Sequence, residues 1–190
     1  MSVTPAGRLT EPFALLRAQL AQCATFRNLN GLGMSIPEAE ARIHYLGLPP
    51  PAGDDYTAAE LGDGDGTGYR PFALIYRRPN EGIRTTLHDI SGSTWGYLDR
   101  GILILTIEKY PTAIEATKLL PTRDAEMTFE VETGKIIDEL LANAGQEGYL
   151  AIEEMGVLLG PYSCGEDDAP GEHGPWQMVH LEITYKAVDE

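Results

Sequence analysis

The clearest pattern in this chain is an alternation of apolar and polar positions near its end. From Trp176 to Ala187 (WQMVHLEITYKA), Val179, Leu181, Ile183 and Tyr185 fall on one parity, and His180, Glu182 and Thr184 on the other. That predicts an antiparallel strand with one buried and one half-exposed face. Gly101 to Tyr110 (GILILTIEKY) reads differently, because Ile102 and Ile104 occupy one parity while Leu103 and Leu105 occupy the other. A strand apolar on both parities is expected at the centre of a sheet, covered on both faces. Pro71 to Arg78 (PFALIYRR) predicts a shorter strand. Pro79-Asn80-Glu81-Gly82 then reads as a turn, with Arg84 to Ile90 (RTTLHDI) returning as the hairpin partner. Ala151 to Leu159 predicts a further strand, followed by an acidic Pro/Gly-rich turn from Gly160 to Pro175.

Helical spacing occurs twice. Phe13, Leu16, Leu20, Cys23 and Ala24 make one apolar face between Glu11 and Phe26. Thr10 is placed to cap this helix, and Pro12 sits in its first turn, where a missing N–H costs nothing. A second helix is expected from Thr122 to Ala144, with Met127, Val131, Ile137 and Leu141 as its stripe and Gly145 just past its end. Its first half stays open between helix and strand, because Ala125, Met127, Phe129 and Val131 also alternate. Arg27 to Tyr69 reads as a long loop-like segment, an insertion at about residues 28–69. It carries a short helix from Pro37 to Tyr45 with Ser35 as N-cap, the run Pro49-Pro50-Pro51, and the glycine-rich Leu61 to Gly68. The order helix, strands, helix, strands predicts an α+β fold. The expectation is one domain over residues 1–190: a single mostly antiparallel sheet packed against two main helices, with a long loop insertion.

Charge narrows the function classes. Twenty-nine acids against 14 bases give a net charge of −15, which weighs against a nucleic-acid binder, since that binding depends on Lys and Arg neutralising phosphates. No apolar run approaches the roughly 20 residues that span a bilayer, and the first residues, MSVTPAGRLTEP, do not form a signal peptide. The expectation is a soluble protein made in the cytoplasm, with no membrane partner. Cys23 and Cys164 stand far apart, so neither a disulfide framework nor a paired-cysteine zinc site is expected.

Catalytic and cofactor patterns fail in turn. The glycines from Gly62 to Gly68 lack the Lys and Ser/Thr of a phosphate loop. Asp63, Asp65, Thr67 and Gly68 match the first half of a calcium loop, but Leu74 stands where the bidentate Glu belongs. His44, His88, His173 and His180 have no metal-ligand spacing. His88-Asp89 and the pair His180 and Glu182 set a carboxylate near an imidazole, without a nucleophile in a recognisable context. Ser91-Gly92-Ser93 is not a nucleophile elbow. The acidic pairs Glu153-Glu154 and Asp167-Asp168 read as solvated. The expectation is a non-enzymatic protein with no catalytic, cofactor-binding or metal-binding residues.

Several stretches together carry a resemblance. They are Cys23-Ala24-Thr25-Phe26-Arg27 at the end of the first helix, Arg70-Pro71-Phe72-Ala73-Leu74 opening the first strand, and Thr85-Thr86-Leu87 after it. Gly101 to Tyr110, Thr122-Arg123-Asp124-Ala125, Met155 to Ser163 and Trp176 to Lys186 complete the set. In this order the chain resembles the tail terminator (tail completion) family of long-tailed phages and gene transfer agents. The segment from Met34 to Gly66 departs from that layout. The resemblance implies a structural virion protein, assembled in the host cytoplasm and located at the tail and neck. It implies a homo-oligomeric ring, hexameric by expectation, that caps the tail tube, ends its polymerisation and meets the stopper (head-completion) protein. DNA would pass through the pore without specific binding, which a surface this acidic suits. Arg77, Arg78, Arg84, Trp95, Tyr97 and Trp176 are the expected protein-interface residues, being of the types enriched at contact hot spots. The competing readings are another neck protein (stopper or adaptor), or a small intracellular enzyme or ligand-binding protein using His88 and Asp89.

Overall fold

The computed structural model describes residues 9–29, 33–46, 73–78, 81–89, 95–109, 123–164 and 176–189. Four helices and six strands lie within them: α1 (Glu11–Gln22), α2 (Ala24–Asn28), α3 (Ile36–Ala41), β1 (Ile43–Leu46), β2 (Ala73–Arg77), β3 (Arg84–Asp89), β4 (Trp95–Lys109), α4 (Arg123–Asn143), β5 (Ala151–Cys164) and β6 (Trp176–Asp189). One sheet contains all six strands in the order β1-β2-β4-β6-β5, with β3 also paired to β4. Every pairing is antiparallel except β1 with β2. The α+β architecture expected from the pattern is present.

β4 organises the sheet. At 15 residues it pairs β6 along one edge and holds both β2 and β3 on the other. Leu103 and Leu105 pack into the main core, and Ile104, pointing to the opposite face, is only 1% exposed. From Leu103 to Lys109 every position is buried, so this stretch is covered on both sides as its sequence predicts, while Arg100 stays exposed. In β6, Val179, Leu181, Ile183 and Tyr185 are buried, while His180, Glu182 and Thr184 keep intermediate exposure. Tyr185 lies across Gly101, where an added Cβ would sit 2.7 Å from the tyrosine oxygen. Only glycine leaves that ring its place.

The core joins these strand residues to Phe13, Leu16 and Leu20 of α1, Phe26 of α2, Ala39 of α3 and Phe129, Ile136 and Leu140 of α4. Each of the large aliphatic and aromatic side chains among them contributes about 1.5–3 kcal/mol by leaving water. Two polar groups stitch the helical layer together. Gln19, fully buried, donates to the Leu140 carbonyl at 2.7 Å and accepts from the Leu150 N–H at 3.2 Å. Glu139 of α4 accepts from the N–H and the hydroxyl of Thr25, satisfying the free N-terminal end of α2.

Expectations need correction in four places: the N-terminal helices with the segment that follows them, the first strand pair, the stripe of α4 and the course of β5. The first helix is broken at Cys23, whose backbone is extended (ψ 118°), so Ala24 starts α2 and turns to solvent. Ser35 does cap α3, with Glu38 accepting from its N–H and hydroxyl, but the helix stops at Ala41 and residues 43–46 join the sheet as β1. Part of the expected loop insertion is thus built into the fold. Secondly, β2 and β3 are not a hairpin. Both run antiparallel to β4 on the same edge, and the register slips by four residues between Arg77↔Leu103 and Arg84↔Arg100. They run as two successive segments along one side of β4, β2 lying between β1 and β4 and β3 pairing only with β4 among the described residues. Thirdly, the buried stripe of α4 is Phe129, Thr133, Ile136 and Leu140, leaving Val131 and Leu141 outside. Finally, β5 continues through Gly160 (φ +96°) and Pro161 to Cys164 instead of turning there. Gly145 ends α4 with φ +78°, as expected. Residues 47–72, 110–122 and 165–175, with the proline run, the glycine cluster, His173 and Asp167-Asp168, lie outside the described residues.

Candidate interaction surface

The six expected interface residues do not form one patch. Arg77 closes β2 on the helical side, where its guanidinium lies 5.3 Å from the centre of the Phe13 ring and donates to the Leu9 carbonyl. It fastens α1 to the sheet. Arg78 is on the opposite face, bonded to Glu182 at 2.7 Å and to Glu81 at 3.4 Å. Arg84 opens β3 and is exposed. Trp95 and Tyr97 begin β4, opposite Asp89 and Leu87, and Trp176 begins β6, opposite Cys164. The side chains of these three aromatic residues lie outside the described set. Ten residues of β6 separate Trp176 from Lys186, the position level with Arg84 and Arg100, or about 33 Å. Trp176 therefore belongs to the far end of the sheet.

The register brings together what the sequence kept apart. Arg84 stands opposite Arg100, and Arg100 opposite Lys186. Directly opposed residues of antiparallel strands share a face, so three exposed cations form a row across β3, β4 and β6 on the face turned away from the core helices. Among the described residues, Glu153 is shared by two of them, at 3.5 Å from Arg100 and 3.6 Å from Lys186. Opposed like charges destabilise a sheet, and exposed ion pairs of this length return little. No composition or spacing signal announces this row, because Arg84, Arg100 and Lys186 meet only through the register.

Apolar exposure is concentrated elsewhere. Val157, Leu158 and Leu159 on β5 are 51%, 50% and 56% exposed. Within the described residues β5 pairs only with β6, and its register shifts at Ile152/Glu154, Val157/Leu159 and Leu159/Tyr162. Irregularities of this kind on an edge strand resist continuous strand addition. The aliphatic run is thus offered as side chains. α4 adds Val131 and Leu141 at 58% and 42% exposure.

The remaining chemistry is tied into local structure. His180 Nδ1 lies 2.7 Å from Thr106 Oγ1, and burial holds the imidazole below its ordinary pKa. Glu182, the carboxylate expected near it, binds Arg78 instead. Burial, with the charge of Glu139 adding to it and Arg27 opposing it, pushes the Cys23 thiol up to about 12. Asp99 accepts from Thr85 at 2.6 Å. Burial raises Tyr185, with Asp99 adding to the shift and Arg77 opposing it. Lys109, buried on the helical side, meets Glu132 of α4 at 2.8 Å. His44 sits on β1 opposite Leu74. The side chains of His88 and Asp89, and residues 91–93, lie outside the described set. Among the described residues no group of three or more His, Cys, Asp or Glu could hold a metal, and no helix is long and apolar enough to cross a membrane. No protein-family model matches the chain, and no curated protein matches it in sequence.

Proposed function

We propose that this chain is a structural subunit of a phage tail: a tail terminator that forms a ring on the last ring of the tail tube, ends its growth and presents a surface to the stopper protein. The observation that carries the reading is the half-exposed run Val157-Leu158-Leu159 on an edge strand. Singly exposed aliphatic residues are ordinary, but here three in succession stay half exposed on both faces of an edge strand, Val157 level with Leu181 and Leu159 with His180. Val131 and Leu141 on α4 add a second apolar surface on a different element. A ring subunit that also meets a tube and a stopper needs several distinct surfaces, since a head-to-tail contact alone uses different patches on its two sides. The element order and the stretches that resemble tail terminators supply the partners: further copies of itself, the tube protein and the stopper. The net charge of −15 suits a passage that DNA must cross without adhering.

Deletion of the gene in its phage, with electron microscopy of the products, tests this. The expected result is tubes of uncontrolled length and full heads without tails. Tails of normal length that fail to join heads would point to a stopper or adaptor. Normal tails on full heads would overturn the structural reading.

A further inference from the structure

The cation row across β3, β4 and β6 has a match on the same molecule. Successive strands are about 4.8 Å apart, so Arg84, Arg100 and Lys186 span about 10 Å. On α4, the residues turned outward include Glu130, Val131, Gly134, Lys135, Asp138 and Leu141, so the two acids share this arc with one cation, Lys135. Glu130 and Asp138 are eight residues apart on the helix, or about 12 Å. Gly134 lies between them, with nothing within 4 Å of where a Cβ would be. A glycine inside a helix costs about 0.5–1 kcal/mol relative to alanine, and among the described residues nothing demands one here. Close approach by another surface would.

We infer that the outer face of α4 in one copy docks on the Arg84–Arg100–Lys186 row of the next. Glu130 and Asp138 meet the cations, Gly134 lets the helix lie close to the sheet, and Val131 and Leu141 leave water. The partner is a second copy, since the row is a local cationic patch on a chain with 29 acids and 14 bases, and opposed potentials steer and register a contact. The two patches differ, so the contact repeats head to tail and closes into a ring or continues as a filament. The inference rests on the ring reading for its closed form, though association itself is measured independently of any tail.

Sedimentation velocity at physiological salt, with circular dichroism to confirm folding, tests it. The wild type is expected to form species larger than a dimer. Arg100→Glu and Asp138→Arg each weaken association by more than about tenfold, and the double variant regains most of the loss. A wild type that stays monomeric over the accessible concentrations overturns the inference, as do single reversals that leave association unchanged or a double variant that fails to recover. Salt-sensitive binding of a short DNA duplex, abolished by Arg100→Glu, would reassign the row to nucleic acid and overturn it too. Failure of the tail-capping test with this association intact would remove the function and leave the contact standing.

Discussion

Gln19 shows how much structure can hang on one polar side chain. It is fully buried and satisfies both the Leu140 carbonyl and the Leu150 N–H. Gln19→Leu keeps the volume but orphans both backbone groups. The expected loss is about 2–4 kcal/mol, read as a lower urea midpoint with unchanged slope. Cys23 gives a second residue-level test. With its thiol held up to about 12, it is protonated at neutral pH and sealed in the core, so a Cys164→Ser variant should resist thiol reagents until it unfolds. The linkage follows from the sign of the shift. A folded pKa above the unfolded value of 9.0 leaves stability intact below pH 9 and erodes it as pH rises towards 12. A Cys23→Ala variant should lose less stability over that interval than its parent, measured by denaturation at stepped pH. Little of this was legible beforehand. Gln19 falls one position from the apolar Leu20 and carries no motif, and its two partners are more than a hundred residues away.

The elements divide into those set by local pattern and those set by register. β6 follows from alternation alone, because a sheet face either meets the core or does not, and the central place of β4 follows from apolar residues on both its parities. The α4 stripe does not. Val131 and Leu141 look like core residues by spacing, yet the helix presents Phe129, Ile136 and Leu140 to the sheet, about one residue away around the barrel of the helix. Turn chemistry misled in the same way, since β2 and β3 both run antiparallel to β4 and the chain does not reverse between them. The α4 glycine offers a test at this level. Gly134→Ala should stabilise the isolated subunit by about 0.5–1 kcal/mol, because nothing stands near the new methyl. The same change should weaken association if a neighbour packs there. Opposite signs in thermal unfolding and sedimentation would separate a contact from a mere helix defect.

Assembly is a contest between two ranges of the same force. Each subunit carries −15, and that net charge repels a second copy over a full Debye length, about 10 Å at 0.1 M salt and about 3 Å at 1 M. The attraction between the cation row and the acids of α4 acts at contact distance, where partial burial shields it from ions. Salt should therefore remove repulsion first and attraction last. The expected outcome is a maximum: average mass in sedimentation rises as salt increases from low concentration to about 0.1 M, then falls towards 1 M. Purely hydrophobic joining through Val157 to Leu159 would instead strengthen steadily, as salt screens the repulsion and leaves apolar burial untouched. A profile that climbs without turning would assign the ring contact to β5, and a profile that turns over would assign it to the row that register assembles from Arg84, Arg100 and Lys186.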